Sequence, residues 1–301
     1  MEKESNYLSS VVLLSGSLFS SGLYLAVFSF FPPAAWIFVS LTAILAILGV
    51  VKILNHFAPS LPPFLKRIIC WVHSIVFEAF AVATTFLMRP LGFTKRMHRR
   101  HGSEKGRPIL LIHGYLQNAS NWAFLKKQLC QRGFGPIYTL NLVPTFHSIR
   151  GYAELVSQKA DAIAKETKRN DLILIGHSMG GLVSAWYATK VAESGKVTDV
   201  ITIGSPLGGT KIAAIAIGPN GREMRCGSEL IRELQDECLH NHTTRFFHIA
   251  SKTDQIIIPY SSALFGLNPE REYLLEDIGH MSLLFSPRVV DKIEEWLSSK
   301  D

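Results

Sequence analysis

Leu172-Ile173-Leu174-Ile175-Gly176-His177-Ser178-Met179-Gly180-Gly181-Leu182 decides how this 301-residue chain is read. Four consecutive apolar residues form a strand buried on both faces. The Gly-x-Ser-x-Gly spacing then turns the backbone, and the sequence after it has an apolar helical pattern. A serine at such a strand-to-helix turn is the signature of a nucleophile elbow, in which glycines two before and two after leave room for neighbouring backbone. Amides at the helix N-terminus point at the serine, so the N–H of Met179 can face an oxyanion developing beside it.

A reactive serine needs a base and an acid, which on this architecture follow it in the order Ser, Asp or Glu, His. Thr244 to Ala250 reads as a strand and runs into Ser251-Lys252-Thr253-Asp254-Gln255, placing Asp254 in the loop after a strand. Glu272 to Leu275 is another short strand. It leads to Ile278-Gly279-His280-Met281-Ser282, with His280 in the loop before a last helix at 287–299. His240 and His242 lie in a polar stretch and His248 inside a strand, so they read as surface or core residues. Asp277 is a rival acid, but three residues before His280 it is poorly placed to reach the far ring nitrogen. Upstream, Pro108-Ile109-Leu110-Leu111-Ile112-His113-Gly114-Tyr115 is a buried strand ending in a close turn, and the N–H of Tyr115 can aim at the same oxygen as that of Met179.

With these residues in place, the stretch from about 107 to 296 resembles the lipase and esterase branch of the α/β-hydrolase family. In that family the residue after the His-Gly pair and the residue after the serine form the oxyanion hole, which correspond to Tyr115 and Met179. The triad carries over onto Ser178, Asp254 and His280. Ile201-Thr202-Ile203-Gly204-Ser205-Pro206-Leu207-Gly208-Gly209-Thr210 is similar to the strand and loop after the elbow helix in bacterial lipases, where Gly-Thr-Pro-His-x-Gly-Thr is usual; here Leu207 replaces the histidine. Met224 to Leu234 resembles the stretch that precedes the acid-bearing strand in the same proteins. The resemblance implies an α/β-hydrolase fold and cleavage of carboxylic esters through an acyl-enzyme, with no cofactor and no metal.

The pattern of elements points the same way by itself. Strands expected at 108–113, 136–142, 171–175, 197–204, 244–250 and 272–275 alternate with helical patterns at 152–167 and 182–193, which implies a mainly parallel sheet with helices on both faces. Residues 211–243 interrupt the alternation. They read either as a lid or acyl-binding cap over the site, or as a packing helix with a surface loop.

Residues 1–106 are of another kind. From Ser5 to Val51 there is no Asp, Glu, Lys, Arg or His. The apolar stretches 8–31 and 34–51, separated by Pro32-Pro33, are each about the length needed to cross a hydrocarbon core of about 30 Å, which predicts a transmembrane hairpin. A signal peptide fits less well, because Met1-Glu2-Lys3-Glu4 is not basic. A third apolar segment, 68–88, carries His73 and Glu78. It is expected to lie in the interface or pack on the catalytic part rather than span, since a carboxylate in mid-membrane is costly; Glu78 is open to a structural or a functional role.

Charge sets the expected orientation. Arg89, Lys95, Arg96, Arg99, Arg100, Lys105 and Arg107 stand against Glu104, a local net of +6 in a chain of net +7. Such a juxtamembrane excess marks a cytoplasmic flank and suits anionic lipid headgroups, so an integral membrane protein of the cell membrane with its catalytic part inside is expected. The basic run lacks the interleaved aromatics and the binding module that nucleic-acid recognition requires. Cys70, Cys130, Cys226 and Cys238 show no C-x-x-C spacing and suit free thiols in a reducing compartment, while Cys226 and Cys238 could pair if the domain were external. The expected partners are therefore the bilayer and an ester or lipid substrate. Two other functions use the same residues or the same fold: an acyltransferase, or a non-enzymatic membrane scaffold.

Overall fold

The computed structural model describes residues 62–94, 97, 101–103, 106–266 and 268–299. The apolar stretches 8–31 and 34–51 lie outside these, as do Lys95, Arg96, Arg99, Arg100 and Lys105. The chain divides into two compact units, Met1–Lys66 and Arg67–Asp301. The second begins well upstream of the boundary drawn from sequence at 107.

Six strands of the second unit form one sheet: β1 (Ile109–Ile112), β2 (Ile137–Leu140), β3 (Leu172–His177), β4 (Val197–Ile203), β5 (Arg245–Ser251) and β6 (Glu272–Leu275). They pair in the order β2-β1-β3-β4-β5-β6, every pair parallel. Alternation along the strands divides the interior in two. Leu110, Ile112, Leu172 and Leu174 face one apolar cluster, and Ile109, Leu111, Ile173 and Ile175 face the other. A strand with both faces buried has to be apolar throughout, which is why these segments read as unbroken hydrophobic runs.

The first cluster is closed by α3 (Ile149–Thr167), α4 (Met179–Trp186) and α6 (Glu229–His240). The second is closed by α2 (Ala123–Gln131), α7 (Pro287–Ser298) and part of α1 (Pro63–Met88), which contributes Ala81 and Val82. Local chemistry fixes several ends. The α3 helix starts three residues earlier than its apolar pattern suggests, because Ser148 caps it by accepting from Gly151 N at 2.9 Å. It stops where Lys168 turns left-handed at φ 57°. The α4 helix begins directly after Ser178 and gives way to a π-helical turn at Tyr187–Val191. Strand β2 is shorter than the expected 136–142, since Asn141 and Leu142 leave the ladder: Asn141 Oδ1 accepts from Ala119 N and Leu142 N donates to His113 Nε2.

Among the described residues, one helical stretch, Phe64–Phe93, is long and apolar enough to cross a membrane. Phe64, Ile68, Trp71, Val72, Ile75, Phe80, Phe86 and Leu87 on it are exposed. His73 and Glu78 turn the other way: His73 Nδ1 donates to Asp277 O at 2.8 Å, and Glu78 meets the segment around His280. Within the second unit, residues 67–88 are therefore packed on the sheet domain along one side and apolar along the other. The two cations of the basic run that are described, Arg89 and Arg107, are both engaged by the fold. Arg89 donates to Leu116 O at 2.8 Å, and Arg107 pairs with the fully buried Asp199.

Candidate active site

The chain runs outward from β1 to β2 and then returns to place β3 on the other side of β1, so the carboxyl ends of β1 and β3 diverge into separate loops. In parallel α/β sheets this switch point is where ligands are taken. Ser178 follows β3 there, and Tyr115 lies in the loop after β1.

Ser178 has φ 54° and ψ −126°, a region that side-chain-bearing residues rarely enter and that costs roughly 1–3 kcal/mol. The surroundings hold it: Ser178 N donates to Ile203 O at 2.9 Å, and its carbonyl accepts from Gly181 N at 3.0 Å. The two glycines of the motif are needed for space. A β-carbon on Gly176 would lie 2.4 Å from Gly180 O, and one on Gly180 would lie 2.0 Å from Ile112 O. The elbow is thus pressed against the end of β1. A β-carbon on Gly114 would be 2.8 Å from the Ser178 Cβ, so the loop that carries Tyr115 lies directly over the serine.

Asp254 and His280 arrive from the loops after β5 and β6 and are buried. Asp254 Oδ2 accepts from His280 Nδ1 at 2.8 Å, while Oδ1 accepts from the amides of Ile256 and Ile257, each at 2.8 Å. The carboxylate is locked on both oxygens, and its bond fixes the imidazole in the tautomer that leaves Nε2 free of the proton. Burial works against a charged His280, but the Asp254 carboxylate, its hydrogen bond and the Glu78 charge outweigh it and hold the imidazole above its ordinary value. Ser178 Oγ and His280 Nε2 make no hydrogen bond among the described residues; in ligand-free sites this bond is commonly long and closes with substrate. Nor does any hydrogen bond among the described residues engage the amides of Tyr115 and Met179.

The other sequence candidates go elsewhere. His248 lies inside β5 against Thr202 Oγ1 at 2.8 Å, and burial pushes its pKa down to about 3, as suits a neutral core side chain. Asp277 pairs with Arg288 at 2.7 Å. His240 is exposed beside Asp236. All four cysteines are free thiols. The segment 211–243 contains α5 (Gly218–Glu223) and α6, and Tyr115 ties its first part to the site. The Tyr115 hydroxyl donates to Ile217 O at 2.8 Å and accepts from Ile217 N at 3.0 Å.

Four residues that support the site were not assigned that role from sequence. His113 Nδ1 donates to Gly114 O at 2.9 Å while its Nε2 accepts from Leu142 N at 2.9 Å, which pins the turn before Tyr115. Gln117 Oε1 accepts from Gly114 N at 3.0 Å and lies 3.1 Å from His177 Nδ1, and its Nε2 reaches Met281 Sδ. It links the loop after β1, the elbow and the segment after β6. The His177 ring lies 4.7 Å from that of His280 between centroids, tilted by 44°, and burial together with His280 pushes it well below the ordinary histidine value, so it stays neutral. The fourth is Glu78.

Comparison with known proteins agrees with this architecture. A family model described as a PGAP1-like alpha/beta domain matches residues 146–215, from just before α3 to just beyond β4. The lipase BlEst2 of Bacillus licheniformis in its mature form superposes with a TM-score of 0.56 at 16% identity, over 65% of this chain and 94% of that one. Lipase B of Aspergillus fumigatus gives 0.56 at 19% identity, over 66% of this chain and 54% of that one. By its parallel sheet, by the place of its elbow and by these likenesses, the chain has the α/β-hydrolase fold.

Proposed function

We propose that the protein is a membrane-anchored serine hydrolase that cleaves carboxylic esters with apolar acyl groups, lipids among them. The observation that carries this reading is the His280–Asp254 bond of 2.8 Å at the carboxyl ends of β5 and β6, in the sheet whose switch point carries a serine held at φ 54°. His280 Nε2 takes the proton of Ser178 Oγ as that oxygen attacks the ester carbonyl. The amides of Tyr115 and Met179 hold the oxyanion of the tetrahedral intermediate, and Asp254 stabilises the imidazolium. The imidazolium returns its proton to the leaving alkoxide as the C–O bond breaks. Water, deprotonated by His280, then attacks the acyl-serine and releases the acid.

The lipid part rests on location. The apolar stretches 8–31 and 34–51 serve as the anchor, and the exposed apolar side of residues 67–88 lies in the same region of the chain as the basic flank. The positive flank supports a catalytic part on the cytoplasmic side, and the likeness to lipases supports an ester substrate. The test is hydrolysis of acylglycerol or phospholipid in mixed micelles beside a short soluble ester, with the full chain in detergent. Turnover of the micellar lipid, abolished in Ser178→Ala, is expected. Turnover of the soluble ester alone withdraws the lipid assignment, and turnover that survives in Ser178→Ala withdraws the mechanism.

A further inference from the structure

Glu78 is the one carboxylate of α1, and it is turned inward onto the turn that presents His280. Its Oε1 accepts from Met281 N at 2.7 Å, and its Oε2 accepts from Ser282 N at 3.0 Å and lies 3.1 Å from Ser282 Oγ. A β-carbon on Gly279 would sit 2.5 Å from Oε2. The residue before His280 therefore has to be small for the carboxylate to reach, while the two residues after it are bonded directly. The carboxylate is hydrogen-bonded to the two residues after the imidazole-bearing one and lies close against Gly279 before it.

The same stretch of chain touches the rest of the site. Gln255 Nε2, from the residue after Asp254, donates to Ser74 Oγ at 3.3 Å. Beyond the helix end, Arg89 holds Leu116 O in the loop that carries the Tyr115 amide, and Asn118 Nδ2 donates back to Arg89 O at 2.8 Å. The segments bearing the base, the acid and one oxyanion donor are thus all held by residues 74–89. An anchor that merely kept the helix attached would not need its single carboxylate on the turn that presents the imidazole.

We propose that Glu78 is a positioning residue for His280: from an apolar helix it fixes the Gly279–Ser282 turn, and so sets where the imidazole stands relative to Ser178 and Asp254. This deepens the ester-hydrolase reading and rests on it. The charged and titratable groups facing His280 are Asp254 from the loop after β5, Glu78 from α1, and the neutral His177 at the end of β3, with His113 behind His177. Glu78 is the only one of these contributed from outside the sheet and its loops.

Glu78→Gln in the full-length protein in detergent keeps the side-chain size and one good acceptor while removing the charge. Misplacing the base is expected to lower kcat on a soluble ester roughly tenfold with little change in KM. Loss of the negative charge is expected to move the acid limb of kcat/KM, and the His280 titration followed by NMR of labelled histidine, down by about half a pH unit. Ser282→Ala, which removes one of the three donors and leaves the carboxylate, carries the kcat prediction at smaller size if Glu78→Gln does not fold.

Wild-type kcat with an unmoved limb in Glu78→Gln overturns the proposal. So does a loss of activity with an unmoved His280 titration, because a purely structural contact would give that result. If wild type neither turns over esters nor labels at Ser178 with a fluorophosphonate, the hydrolase reading fails by itself. The NMR titration then still decides whether Glu78 acts on His280.

Discussion

Asp254 uses both of its oxygens, one on His280 and one on two backbone amides, so its identity matters beyond its charge. Asparagine in its place keeps an acceptor for the amides but sets an NH2 group against His280 Nδ1 and favours the wrong tautomer. Asp254→Asn is expected to lower kcat by about 10⁴-fold. Its pH profile carries a second expectation. In wild type His280 is held above the ordinary histidine value of about 6.5, so kcat/KM falls as pH drops through a point above that value; in Asp254→Asn the residual activity falls off at lower pH. The positions of Ser178, Asp254 and His280 just beyond β3, β5 and β6 were legible in sequence because the pattern of each strand is local. Gln117 and His113 were not seen as supports, since their roles come from partners such as His177 and Leu142, which lie tens of residues away and carry no spacing signal.

At the scale of elements, the connection between β4 and β5 is the part whose place sequence left most open. It was visible as an interruption at 211–243, but nothing in Ile215-Ala216-Ile217 announces that Tyr115 would hold it by two hydrogen bonds across the site mouth. Ile215 and Ile217 remain exposed there. Tyr115→Phe removes both bonds without touching the Tyr115 amide. With each net bond worth about 0.5–1.5 kcal/mol, amide hydrogen exchange around 211–217 is expected to quicken roughly tenfold while α3 and β3 are unaffected. Unchanged exchange would mean that the segment is held by other contacts. The early start of α3 has a similar lesson: apolar periodicity located its core, whereas the Ser148 cap set its beginning.

Across the whole molecule, the domain boundary is where sequence and structure part. Composition changes sharply near 107, where the basic run ends, but the compact unit begins at Arg67 because Ala81, Val82 and Glu78 belong to it. An apolar helix looks the same in sequence whether its neighbour is lipid or protein, and only the misfit polar residues, His73 and Glu78, hinted at a protein face. At the opposite end of the sheet from the site, Asp199 in β4 is fully buried and paired with Arg107, just before β1, and with Arg245 of β5 at 2.7 Å. Asp199→Asn leaves two guanidinium groups without their shared counter-charge and is expected to cost about 3 kcal/mol in denaturant unfolding. A change within about 0.5 kcal/mol would show that solvent already screens the pair. The central claim, that this fold carries a working nucleophile on its elbow, is tested most directly by treating the full-length protein with a fluorophosphonate and mapping the adduct by peptide mass. The account predicts one adduct, on the peptide containing Ser178 and absent from Ser178→Ala; no adduct on the folded protein, or an adduct on a different serine, would contradict it.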